Sequence, residues 1–177
     1  MLDSAQAMWS ELEQEAGATR RVLERVPADK LTWRPHPRSM TLGQLALHVA
    51  KVPGDLANLS KLEGIDAETV DFNPAQPAQA GEILPALEAS LEAARATLSA
   101  LDATTASGAW RLTAGPREVF TVPRLAMLRS LMLNHWYHHR GQLVVYLRIL
   151  DVPVPAVYGR SADENPFETR MTEPAMA

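Results

Sequence analysis

Two histidines lie one helical turn apart within an apolar stretch of the sequence. His135 and His139 belong to LAMLRSLMLNHWYHHRGQLVVYLRIL, residues 125–150, which contains no proline and no acidic residue. Side chains four residues apart share one face of an α-helix, so two imidazoles at this spacing can bind the same metal ion. The spacing predicts a helix whose stripe carries Leu125, Leu128, Met132, His135, His139, Gln142, Tyr146 and Ile149.

A third histidine, His48, lies between Leu45 and Val52 on the apolar face of another predicted helix. Imidazoles among apolar side chains are costly to bury without a partner. Three histidines without a cysteine are typical of a catalytic metal site, which keeps one coordination position for water or substrate. The sequence therefore predicts a metal site formed by His48, His135 and His139. The alternative is that these histidines are hydrogen-bonded core or surface residues.

Two polar residues near these histidines are candidates for a catalytic role. Gln142 lies one turn after His139, where its amide can contact the ligand or the substrate. Asp55 lies two turns after His48, about 10 Å along the helix axis. We therefore expect a solvated surface charge rather than a residue that reaches the same metal ion. His36, in a proline-rich loop, and His138, rotated away from the stripe, are predicted to lie outside the site.

Several function classes are excluded by the sequence. Trp136 stands where the HExxH motif carries its general-base glutamate, which excludes a zinc protease of that type. The net charge of −4 argues against general binding of nucleic acid or acidic membranes. The chain has no cysteine and no transmembrane run of about 18 apolar residues, and its first 17 residues lack the basic and apolar regions expected of a signal peptide. We expect a cytoplasmic protein in which any thiol chemistry uses a thiol of the substrate.

The elements that must position these residues are helices. Apolar residues at steps of three and four, with prolines between the segments, predict an all-α four-helix bundle with long crossover connections in a single domain, residues 1–177. Pro53 is expected to kink or break the second helix. A short hairpin is predicted within the connection 102–122. The predicted helices span about 2–26, 41–59, 81–101 and 123–150, and the tail 151–177 is predicted to be coil.

The segments TLGQLALHVA and NHWYHHRGQLVVYLRILDVPVPAVYGRSADE resemble the DinB-like (damage-inducible, YfiT-type) metalloenzyme superfamily over nearly the whole chain. The resemblance implies a four-helix bundle, often a homodimer, with a divalent metal ion, most often zinc or nickel. Its ligands would be His48, His135 and His139. Relatives in this superfamily include thiol-dependent S-transferases and a mycothiol-dependent maleylpyruvate isomerase.

Together these patterns favour a metal-dependent enzyme that activates a low-molecular-weight thiol for S-transfer or isomerisation. The first alternative is a metal-dependent hydrolase that uses metal-bound water, which Asp55 or His36 near the open position would favour. The second alternative is a non-catalytic, stress-associated metal-binding or interaction protein. The role of Tyr158, in the tail, is either to approach the site or to fasten the C-terminus by packing.

Overall fold

Most of the chain is helical. The structure, a computed structural model, describes residues 1–167 of the 177-residue sequence. Three long helices are α1 (Asp3–Leu23), α2 (Leu42–Leu59) and α3 (Ile83–Ala100). A short helix, α4 (Ala103–Ser107), follows them. The last helical stretch consists of α5 (Arg124–Met127), a π-helical segment (Leu128–Asn134) and α6 (His135–Ile149).

The long helices pack around one apolar core. Helix α2 contacts α3 and α6, and α1 contacts the same two helices. This arrangement places the inner faces of α2 and α6 against each other, so side chains from the two helices can meet. The largest fully buried apolar side chains include Trp110, Trp136, Leu12, Leu42, Leu45 and Met132.

A small sheet accompanies the helices, and for that reason the all-α prediction is only roughly right. Strand β2 (Ala109–Ala114) pairs antiparallel with β3 (Arg117–Pro123), which confirms the predicted hairpin. A third strand, β1 (Gly64–Asp66), pairs in parallel with β2 and was not expected. It lies in the polar connection 61–80, where three residues are too few to show an alternating apolar pattern.

Helix α2 has a well-defined start and an unusual interior. Thr41 and Gln44 form the capping box expected from their spacing, in which each side chain accepts the other residue's backbone N–H. Pro53 lies inside the helix, which continues to Leu59 without a break. The expected break is therefore absent, and the kink stays a prediction. Pro53 still removes one backbone donor, so the carbonyl oxygen four residues earlier lacks its usual hydrogen bond within the helix.

The predicted stripe of the last helix requires a correction. Gln142 and Ile149 are exposed, whereas Trp136, Arg140 and Leu147 are buried. A uniform α-helix was assumed, but the π-helical segment that precedes His135 has wider turns with hydrogen bonds from residue i to i+5. The wider turns change the angular position of every later side chain relative to the first part of the helix.

Beyond α6 the described chain forms turns and bends as far as Phe167. The remainder of the predicted coil tail, residues 168–177, lies outside the described residues. Arg148 and Arg21 form ion pairs with Asp163 and Glu164, which fasten this segment to α6 and α1. Among residues 1–167, no helix has both the length and the apolar character needed to cross a bilayer.

Candidate metal centre

Three imidazoles meet where α2 packs against α6. His48 comes from α2, and His135 and His139 come from α6. One nitrogen from each ring can be chosen so that all three nitrogens lie within 4.8 Å of one another. The Nε2 atoms of His48 and His135 are 3.1 Å apart. We call these three residues the histidine cluster.

The local structure of each helix explains why these rings converge. His135 is the first residue of α6, directly after the π-helical segment, and His139 follows it one α-helical turn later. Their ring centroids are 4.4 Å apart, as expected for neighbours on one helix face. The centroid of His48 lies 5.3 Å from that of His135 and 4.6 Å from that of His139, so it completes a triangle.

The donor set fits a divalent metal ion. Two imidazole nitrogens that each lie about 2.0–2.1 Å from a tetrahedral zinc ion are roughly 3.3 Å apart. The Nε2 atoms of His48 and His135 are already near that separation, at 3.1 Å, and one nitrogen from each of the three rings lies within 4.8 Å of the other two. Among residues 1–167, no carboxylate joins the three rings to form a fourth ligand. The cluster therefore offers three neutral nitrogen donors.

Burial keeps these imidazoles uncharged. Loss of hydration is the largest cause that lowers the pKa of His48 from 6.5 to about 4, and the nearby His139, His135 and Lys51 contribute the rest of this decrease. Burial and the charges of His139 and His138 lower the pKa of His135 to about 4 as well. The pKa of His139 is also lowered, mainly by burial. Neutral imidazoles have a free lone pair, which is the form that binds a metal.

Gln142 contacts the histidine cluster directly. Its Oε1 atom lies 2.7 Å from Nδ1 of His139, so the ring donates its Nδ1–H to the amide and leaves Nε2 as the lone-pair nitrogen. Hydrogen bonds of this kind fix the tautomer and the orientation of a metal-binding histidine. The Gln142 side chain lies on the exposed side of α6, where it borders the site rather than filling the core.

The other candidate residues lie apart from the cluster. Asp55 is exposed and forms an ion pair with Lys51 at 3.7 Å. His36 is exposed in its loop, where its Nδ1 accepts a hydrogen bond from the backbone N–H of Arg38. His138 is exposed too, although its ring centroid is only 5.0 Å from that of His139. The Tyr158 hydroxyl group bonds with Arg140 of α6 and Glu15 of α1, while 72% of the residue is exposed.

The sequence interpretation gave Trp136 no role in the site except to exclude a protease. In the structure this side chain is fully buried, and its indole N–H donates to the Val49 carbonyl oxygen at 2.8 Å. The available signal was Pro53, because a proline inside a helix leaves the carbonyl oxygen of residue 49 without its usual donor.

The DinB family sequence model matches residues 1–171, which include every residue of the histidine cluster. The chain belongs to the DinB family. No curated protein matches the sequence significantly. The DinB resemblance seen in the sequence is thereby confirmed, without an activity attached to it.

Solved DinB-like structures share this fold. A DinB-like protein from Bacillus cereus is 25% identical, with a TM-score of 0.62 over 84% of this chain and 94% of that chain. A DinB-like protein from Bacillus subtilis is 19% identical, with a TM-score of 0.62 over 87% and 99% of the two chains. A DinB family structure from Exiguobacterium sibiricum is 22% identical, with a TM-score of 0.64 over 88% and 97%.

Proposed function

We propose that this DinB family protein is a divalent-metal-dependent enzyme whose ion is held by His48, His135 and His139. The observation that carries the proposal is the convergence of three neutral imidazole nitrogens without a fourth ligand among residues 1–167. Structural zinc sites are usually closed by four protein ligands, whereas catalytic sites keep a position for water or substrate. Zinc and nickel both suit imidazole ligands, and metal availability decides between them as much as affinity does.

We further propose that the substrate that binds this ion is a low-molecular-weight thiol, used for S-transfer or isomerisation. A bound divalent ion lowers the pKa of a thiol and so supplies a nucleophile near neutral pH. The chain's own contribution is to keep three imidazoles neutral, to orient His139 through Gln142 and to leave the cluster partly open to solvent. The absence of cysteine from the sequence means that the thiol must come from the substrate.

The hydrolase alternative receives no support from the positions of its two candidate bases. Asp55 is paired with Lys51 on the surface, and the His36 ring is engaged with its own loop. An Asp55→Asn variant is therefore expected to keep the wild-type activity. The homodimer and the cytoplasmic location stay predictions, and light scattering of the purified protein tests the first of them.

Elemental analysis of protein purified without a polyhistidine tag tests the metal site. We expect about one equivalent of metal per chain in the wild type, as for a single preformed site. His48→Ala and His139→Ala should each lose the metal. His36→Ala is the matched control, because this histidine is exposed and lies outside the cluster. Full occupancy in His48→Ala would exclude the proposed ligand set.

Thiol binding is tested separately with cobalt-substituted protein. A thiol that reaches the ion as thiolate produces a sulfur-to-cobalt charge-transfer band in the near ultraviolet. We expect this band on titration with 2-mercaptoethanol, and no band with ethanol at the same concentration. Cobalt binding without a thiol-dependent band would support the proposed metal site but exclude the proposal that the ion activates a thiol.

A further inference from the structure

A proline in α2 creates an unusual hydrogen-bond acceptor beside the histidine cluster. Within an α-helix, the Val49 carbonyl oxygen would accept the N–H of residue 53, but Pro53 has no N–H. Val49 is fully buried, so water does not reach the orphaned oxygen easily. A buried carbonyl group without a partner is costly, and another part of the protein must supply a donor.

The donor is the side chain of Trp136 on the facing helix. Its Nε1–H bonds with the Val49 oxygen at 2.8 Å, and the indole ring is also fully buried. Because both residues are buried, neither the indole N–H nor the carbonyl oxygen can bond with solvent instead. If α2 and α6 slid or turned relative to each other, both the donor and the acceptor would lose their partner, a penalty that purely apolar contacts do not impose.

The bond lies at the level of the histidine cluster. Val49 directly follows His48 on α2, and Trp136 directly follows His135 on α6. The hydrogen bond therefore joins the α2 backbone to a side chain of α6, and each partner is the immediate neighbour of a histidine whose Nε2 atom lies 3.1 Å from that of the other. Packing alone fixes the distance between two helices less sharply than a directional bond at this level.

We propose that Trp136 is a positioning residue, which sets the separation of His48 from His135 and His139 through the Val49 carbonyl group that Pro53 leaves free. The effect on metal affinity rests on the proposed metal site. The effect on ring positions does not depend on a metal. Trp136 touches neither ion nor substrate in this role; it holds the helices in the register that the three rings require.

The chain contains a matched control in Trp110. This tryptophan is equally buried, and its Nε1–H also donates to a backbone carbonyl group of α2, that of Leu59 at 3.2 Å. Leu59 is the last residue of α2, eleven positions after His48, about 16 Å along the helix axis. Trp136→Phe and Trp110→Phe thus remove the same atoms, and each removes a hydrogen bond to a carbonyl oxygen of α2. The bond of Trp136 is near the cluster, whereas the bond of Trp110 is far from it.

A second substitution separates positioning from mere stability. Pro53→Ala restores a backbone N–H that can bond with the Val49 oxygen within α2. In the double variant Trp136→Phe/Pro53→Ala, the carbonyl group regains a partner while the link between α2 and α6 stays broken. We expect the double variant to regain the part of the melting temperature that is lost in Trp136→Phe. Its metal affinity should stay as low as that of Trp136→Phe.

The experiment measures cobalt affinity, melting temperature and NMR contacts between imidazole rings in the metal-free protein. We expect cobalt affinity to fall about 10–100-fold in Trp136→Phe, the range for residues that orient ligands, and to stay unchanged in Trp110→Phe. Recovery of both stability and affinity in the double variant would overturn the proposal, as would equal affinities in the two tryptophan variants.

The NMR arm distinguishes this inference from the proposed function. Without metal, the wild type and Trp110→Phe should show cross-relaxation between the rings of His48 and His135, and the double variant should lose it. If the wild type binds no cobalt, the proposed metal site fails while the ring contacts still decide the role of Trp136. Unchanged ring contacts in the double variant would overturn that role.

Discussion

Arg140 and Glu15 form an ion pair at 2.7 Å between α6 and α1, with side chains only 2% and 11% exposed. Arg140 also donates to the Thr19 hydroxyl group and to the backbone oxygen of Glu15. The guanidinium group makes cation–π contacts with Tyr137 and Tyr158, at 5.3 Å and 5.1 Å from the two ring centroids. Because Arg140 directly follows His139, this network holds the same helix turn that carries the metal-site candidate.

Breaking this ion pair should destabilise the protein strongly. Arg140→Met leaves the Glu15 carboxylate buried without its partner, and we expect a loss of about 3–5 kcal/mol in the free energy of unfolding. Urea denaturation measures the loss. Arg20→Met, which removes an exposed pair with Glu88, should cost about 1 kcal/mol or less. If Arg140→Met cost no more than this control, the buried pair would not contribute as described.

Gln142→Leu should weaken metal binding without weakening the fold. The substitution removes the acceptor of the His139 Nδ1–H, so the ring can turn or change tautomer, and we expect zinc affinity to fall about 10–100-fold. Competition with a chromophoric chelator measures the affinity. Gln14→Leu changes an equally exposed glutamine of α1 and should leave zinc binding unaltered. Equal affinities in the two variants would contradict the orienting role of Gln142.

The metal-free protein should lose stability as the pH falls from about 6.5 to about 4. Unfolded imidazoles bind protons near pH 6.5, whereas those of His48 and His135 do so only near pH 4 when folded. Between these values the unfolded chain holds more protons, so unfolding becomes more favourable as the pH decreases. Each imidazole contributes at most about 1.4 kcal/mol per pH unit, less where solvent reaches the ring.

Urea denaturation at pH values between 4 and 7.5 measures this slope. His48→Gln should make it shallower, because one of the imidazoles with a lowered pKa is gone. His36→Gln, in the exposed loop, should leave it unchanged. A slope that is identical in wild type and His48→Gln would show that burial of this imidazole does not control the acid sensitivity.

Gly54→Ala should separate α2 from α3. A Cβ atom at this position would lie 2.7 Å from the Cα atom of Ser90, and the Gly54 N–H donates to the Ser90 hydroxyl oxygen at 2.7 Å. We expect a destabilisation of about 1–3 kcal/mol from overpacking. Gly141→Ala on α6 meets no atom within 4 Å and should instead add up to about 1 kcal/mol through helix propensity. Thermal unfolding of both variants tests the contrast.

The parts of the site that sequence could predict are those set by local periodicity. His135 and His139 share a helix face because they are four residues apart, and His48 was recognisable because it interrupts an apolar face. Their convergence followed from two inner faces of one bundle. No tertiary information was needed for these three residues.

The remaining features could not be predicted, for two reasons. Some depend on contacts between residues far apart in the sequence, and others are backbone geometries that no residue pattern indicates. Gly64 pairs with Arg111 across 47 residues, so β1 could not be read from its own three residues. The burial of Arg140 could not be predicted from the sequence, because its buried partner Glu15 lies in a different helix. The π-helical segment has no distinctive residue pattern, so the sequence could not show that Gln142 and Ile149, on the predicted stripe, are exposed.

The π-helical segment, Leu128–Asn134, makes the position of the α6 histidines dependent on chain length rather than on residue type. A wider turn accommodates additional chain within a helix that stays continuous, from Arg124 to Ile149. If all seven residues of this segment adopted regular α-helix, His135 and His139 would turn further about the axis relative to α5, because an α-helical residue turns about 100° and a π-helical one turns less. Deleting one residue here as the segment became α-helical would offset that change and leave the two histidines facing about the same direction, whereas a deletion that kept the wider turns would rotate both away from His48.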